Sequence, residues 1–136
     1  MSLETSIQQL KDAVEKEIAG LEARVAAAPT EIPRGQEIAQ QLVKALPAGT
    51  ADLKSSSSGF MLRVGRTHSV VGELHVAITH SGHISVAFRA TRYGKPLPDE
   101  HWELVDPTAA NAASGEPWAR LFTKFCERTV GLAAGT

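Results

Sequence analysis

The fold turns on the stretch LHVAITHSGHISVAFRATR, Leu74 to Arg92, which holds three of the chain's five histidines. It reads as two alternating apolar segments joined by a short polar turn. Register decides where every side chain goes, because slipping an antiparallel hairpin by one residue sends each one to the opposite face. A two-residue turn, Ser81-Gly82, would set His80 against His83 but would place Leu74, Val76 and Ile78 on one face with Arg89, Ala87 and Ser85. A three-residue turn, His80-Ser81-Gly82, gives glycine the left-handed position of a bulged turn. Ile78 then opposes Ile84, Val76 opposes Val86, Leu74 opposes Phe88, and Glu73 faces Arg89 as an opposite-charge pair. Grouping three apolar pairs, at roughly 1.5 to 3 kcal/mol per fully buried side chain, outweighs a lone histidine pair. The three-residue turn is therefore predicted.

In that register His80 lies in the turn, while His75 and His83 share the polar face about 13 Å apart at ~3.3 Å per residue. Two zinc ligands bonded at roughly 2.0 to 2.1 Å cannot be so distant. No metal and no cofactor are expected, and the candidate polar sheet face comprises Arg63, Glu73, His75, His83 and Arg89.

Upstream, FMLRV alternates Phe60, Leu62 and Val64, and VVGELHVAIT contributes Val70, Leu74, Val76 and Ile78. Downstream, the loop YGKPLPDE precedes a short segment, HWELV. These segments predict a four-stranded antiparallel meander over residues 59–105. KSSSSG, before it, reads as a flexible loop between a helical part and a β part.

At the N-terminal end the apolar residues Leu3, Ile7, Leu10, Val14, Ile18, Leu21, Val25 and Ala28 recur every three or four positions, with charged and amide side chains elsewhere and Ser2 as a cap. Pro29 is expected to end this helix. Its length from Leu3 to Ala28, about 39 Å, exceeds the roughly 30 Å of a small domain. QEIAQQLVKAL predicts a second, shorter helix bearing Ile38, Leu42, Val43 and Leu46. After DPTAANAASG, where Asp106 and Pro107 could open a turn, a last helix over 114–132 is expected. Ser114 would cap it, and Trp118, Leu121, Phe122, Phe125, Cys126 and Val130 would form its apolar side.

The expected architecture is α+β: a long N-terminal helix, a second helix, the four-stranded meander and a C-terminal helix packed on the sheet, one domain across residues 1–136 with its helical part at 1–46. A net charge of -1, 43% hydrophobic residues and one cysteine fit a soluble chain kept in the cytoplasm, with no bias toward nucleic acid and no membrane partner. The amphipathic, acidic start is unlike a signal peptide.

Several polar groupings invite catalytic readings. Glu100, His101 and Glu103 form an acid–base cluster beside Trp102, but general acid–base work needs a pocket that local sequence cannot show. Thr67-His68-Ser69 reads as a turn, since adjacent residues there point apart. Cys126 is placed among aromatics as an inert buried thiol. Arg63, Arg66, Arg89 and Arg92, with Tyr93, could form an RNA-binding face, although the sheet aromatics are assigned to the inner side. The expectation from sequence is thus a non-enzymatic protein-binding or adaptor protein acting as a homodimer, with Leu3, Ile7, Leu10, Val14, Ile18, Leu21 and Val25 at the interface and room for a further protein partner. Size, mild acidity and helices flanking an antiparallel sheet are similar, at fold level only, to small cytoplasmic chaperones of secreted proteins. The alternatives are a small-molecule binder or enzyme with a pocket between sheet and helices, using His75, His101 or Glu103, and an RNA-binding sheet.

Overall fold

The structure, a computed structural model, describes residues 2–109 and 115–135. One helix, α1 (Leu3–Ala45), runs through both predicted helical segments. Ser2 caps it, its side chain accepting from the Thr5 backbone N–H at 3.2 Å. The expected break at Pro29 does not occur: Pro29 and Pro33 both lie inside α1. Interior proline costs roughly 3 kcal/mol or more, and here tertiary contacts offset it. Ala28 and Ile32 are buried, and the Glu31 carboxylate accepts a hydrogen bond from the Trp118 indole N–H at 3.2 Å. Gln36 further along donates to the backbone carbonyls of Ser56 and Gly59 at 2.9 and 3.2 Å.

The sheet is antiparallel and, among the described residues, has six strands rather than four: β1 (Ala51–Ser56), β2 (Gly59–Val64), β3 (Val70–Ile78), β4 (Ile84–Arg92), β5 (Lys95–Pro96) and β6 (Glu100–Val105). Part of the expected KSSSSG loop is strand. Lys54, Ser55 and Ser56 pair with Met61, Phe60 and Gly59, and Leu53 opposite Leu62 packs against the core. Polar side chains hid β1 because, at the sheet's edge, it needs only one inward anchor. The two-residue β5 arises at a tight turn in which Tyr93 and Gly94 both have positive φ, 53° and 82°. That is the geometry of a two-residue hairpin matched to strand twist.

β3 and β4 pair in the predicted register, with Ile78 opposite Ile84, Val76 opposite Val86, Leu74 opposite Phe88 and Glu73 opposite Arg89. Gly82, at φ 80°, donates its N–H to the Thr79 carbonyl, and Thr79 donates to His83. The three residues between them form the turn. β6 lies on the other edge of β4, where an irregularity between Ile84 and Val86 shifts the register.

α2 (Glu116–Ala133) completes the fold and closely matches the expected last helix; Ser114 lies outside the described residues. Trp118, Leu121, Phe122 and Phe125 are buried on the sheet. Phe60 stacks on Phe122 with centroids 6.2 Å apart, and Phe88 meets Trp102 edge-on at 5.4 Å. Such offset and perpendicular arrangements suit the ring quadrupoles. Val130, expected in this stripe, is instead 68% exposed, and Cys126 is exposed too, because the buried arc is narrower than the predicted one.

α1 and α2 together cover the inner sheet face. α1 approaches so closely that a Cβ on Gly35 would come within 2.5 Å of the Trp118 ring and 2.8 Å of Phe60. Only glycine fits there.

Candidate interaction surface

The body begins to cover α1 at Arg24. Arg24 Nε donates to the Ser81 carbonyl at 3.0 Å, so the β3–β4 turn touches the helix there. Ala28 is fully buried. From Leu3 to Val25 the helix projects beyond the sheet, about 33 Å of rod at 1.5 Å per residue.

Along that rod every predicted interface residue is exposed: Leu3 75%, Ile7 56%, Leu10 64%, Val14 47%, Ile18 49%, Leu21 37% and Val25 51%. They stand on one face. Polar contacts occupy the others, including Gln8 to Asp12 at 2.9 Å and Lys11 to Glu15 at 4.0 Å. Single surface leucines are ordinary; seven large apolar side chains in one contiguous strip are not. The same face continues, in phase, into the buried residues Ala28, Ile32, Gly35 and Ala39.

The polar sheet face is built differently. Glu73 opposes Arg89 in register, but its carboxylate lies nearer to Arg63 Nε at 3.8 Å and His75 Nε2 at 3.0 Å. Arg89 turns outward to Asp99 at 3.2 Å. The expected Glu73–Arg89 ion pair is thus replaced by two others, since Asp99 and Arg63 offer closer partners. His83 bonds through Nδ1 to the Ser81 hydroxyl at 2.9 Å, and neither it nor His80 joins His75. Among the described residues no group of three or more histidine, cysteine, aspartate or glutamate side chains is placed to hold a metal ion.

The Glu100–His101–Glu103 grouping is divided by the strand. Glu100 accepts from Arg128 Nε of α2 at 2.9 Å, while His101 pairs in register with Ala87 and is exposed. Leu104, two residues from the inward Trp102 and so on the same face of a regular strand, is 50% exposed, because the irregularity in the β4–β6 pairing rotates it out. A hollow of about 440 Å³ lies between β6 and α2, lined in part by Trp102, Glu103, Arg120 and Lys124. Thr67 and His68 sit in the turn between β2 and β3, which the Ser69 N–H closes onto the Arg66 carbonyl.

Among the described residues, Asp106 and Cys126 have displaced acidities. Asp106 accepts from the Thr108 hydroxyl at 2.7 Å and its backbone N–H at 2.8 Å, and these bonds hold its carboxyl below the usual value. Burial, with the charge of adjacent Glu127, pushes the Cys126 thiol up. A raised thiol is a poorer nucleophile at neutral pH.

Sequence reasoning missed the Glu31–Trp118 link. A carboxylate flanked by two prolines was the available signal, but the partner stands 87 residues away. Among the described residues, no helix is long and apolar enough to cross a membrane. Comparison with family models, curated proteins and solved structures finds no match to this chain.

Proposed function

We propose that this chain is a non-enzymatic protein-binding protein of adaptor or chaperone-like type, acting as a homodimer through the projecting half of α1. The observation that carries this reading is the strip from Leu3 to Val25: seven large apolar side chains, each more than a third exposed, on one face of a helix that extends past its own sheet. Water contact with that strip is unfavourable by about 25 cal/mol per Å² of apolar surface, so a partner that covers it is stabilising.

The test is solution mass. Sedimentation at micromolar concentration is expected to give twice the 14.5 kDa of one chain. Leu10→Asp, which sets a charge in the middle of the strip, should return the mass to one chain without altering the circular dichroism of the sheet. A wild-type protein that sediments as a single chain would end the proposal.

A second reading, a small-molecule binder, draws support from the hollow beside Trp102, where Arg120 and Lys124 stand near Glu103. Concentration-dependent thermal stabilisation by small carboxylates or phosphates, abolished by Arg120→Ala, would favour it.

A further inference from the structure

The exposed part of the strip has an internal symmetry. Its apolar residues, at positions 3, 7, 10, 14, 18, 21 and 25, are separated by 4, 3, 4, 4, 3 and 4 residues, which reads the same in both directions from Val14. The strip is two successive 11-residue units, Leu3 to Val14 and Val14 to Val25. Eleven residues in three turns is about 3.67 per turn, so two such helices can lie side by side almost straight.

We infer that the partner of this strip is a second copy of the same chain, lying antiparallel with the twofold axis at Val14. The inference rests on the homodimer reading above and adds its direction and register. Under that twofold, Leu3 meets Val25 of the second copy, Ile7 meets Leu21, Leu10 meets Ile18, and Val14 meets itself. Every exposed apolar position finds an apolar position at the same height, which is what an isologous contact requires of a surface.

The body of the molecule supplies an independent argument for direction. The strip runs on in phase to Ala28, Ile32, Gly35 and Ala39, and there the chain's own sheet and α2 already occupy that face. A parallel partner, in register, would drive its own residues 28–45 into that occupied space. An antiparallel partner instead runs the other way. Its Leu3 ends beside Val25, where the β3–β4 turn begins to cover the helix through Arg24 and Ser81. The length of bare helix on one copy equals the length needed to cover the other. Each body caps one end of the pair.

The geometry is open to cross-linking, with Cys126 replaced by serine so that each variant carries one thiol. Facing helices 8 to 10 Å apart bring Cα atoms at the twofold within the roughly 4.4 to 6.8 Å that a disulfide spans. Val14→Cys should therefore give a covalent dimer on mild oxidation. Leu3→Cys alone should not, since the two copies of residue 3 would be about 33 Å apart. Mixing the Leu3→Cys and Val25→Cys proteins should give the heterologous product.

Efficient cross-linking of Leu3→Cys with itself would show a parallel pair and overturn the inference. A dimeric mass by sedimentation without a Val14→Cys product would overturn the register while leaving the homodimer standing. A single-chain mass with no product from any variant would overturn both.

Discussion

From Ala28 to Ala39 the apolar face of α1 lies against Trp118, Phe60 and the β1–β2 ribbon, while from Leu3 to Val25 the same face, in the same helical phase, meets solvent. The residue types differ in a telling way. The covered half uses alanine and glycine at several stripe positions, so that two helices and a sheet can approach closely. The bare half uses leucine, isoleucine and valine at every one. Small residues are needed where the neighbour's side chains are already large; large ones are needed where the neighbour must be reached across a gap. The helix–helix pair proposed for the bare half, at roughly 8 to 10 Å, would be such a gap.

That contrast can be broken by pairs of matched substitutions. Ile32→Ala, in the covered half, should lower the stability of the chain by roughly 2 to 5 kcal/mol, as for other buried large-to-small changes. Ile18→Ala should leave the unfolding midpoint of the single chain nearly unchanged and act on association. Chemical denaturation at two protein concentrations separates the two effects; equal losses at both sites would mean the halves are not distinct.

Glycine sharpens the same comparison with a change of sign. Gly35→Ala forces a methyl into the Trp118 and Phe60 rings and should cost about 1 to 3 kcal/mol. Gly20→Ala meets only the end of the Arg24 side chain, at 3.3 Å, and should stabilise by roughly 0.5 to 1 kcal/mol through helix propensity. Urea titration of both variants reads the signs directly.

Glu31 is the polar anchor at the boundary. Glu31→Ala would leave the buried indole N–H of Trp118 without its acceptor and should cost on the order of 1 to 3 kcal/mol, whereas Glu31→Gln, which keeps an acceptor oxygen, should cost less. Equal effects would show that the hydrogen bond does not matter.

Smaller effects test the flanks. In the proposed antiparallel pair Glu4 of one copy would lie beside Glu22 of the other on the same side of the strip, two residues apart along the axis. Glu22→Lys should tighten the dimer by about 0.3 to 0.5 kcal/mol, an effect that fades in high salt. Sedimentation equilibrium at two ionic strengths measures it. Far from α1, the Asp106 carboxyl is held low by Thr108. A carboxyl depressed on folding contributes stability above its unfolded value, near pH 4, that is lost as pH falls through the folded value. Thr108→Val, which keeps the backbone N–H bond and loses the hydroxyl, should raise the Asp106 titration point in NMR and reduce that small acid-limb contribution.

How much of this was legible in the sequence follows from the range of the interactions involved. The β3–β4 register was readable because three apolar pairs and a turn glycine all lie within about twenty residues. The stripe of α1 was readable because its period is local. What Pro29 does was not: locally it is a breaker, and only Trp118 and the sheet, far along the chain, make a continuous helix the better solution. β1 escaped notice because an edge strand with serine and lysine carries no alternating signal beyond Leu53. Glu73 was assigned the partner directly across from it, but side-chain reach favoured Arg63 on the neighbouring strand and His75 on its own. Candidate interface residues were recognised by pattern, and their exposure required the fold.

The two prolines of α1 have a mechanical corollary. Pro29 and Pro33 have no backbone N–H to offer the carbonyls of Val25 and Pro29, so two rungs of the helical ladder are absent in the covered segment, within two turns of the point where the rod emerges. Helices bend most readily at such points. With about 39 Å of lever between Ser2 and Ala28, a tilt of roughly 10° would swing the tip by about 7 Å. Such a tilt would have to open the Arg24–Ser81 hydrogen bond, which makes the β3–β4 turn the stay that holds the rod's aim.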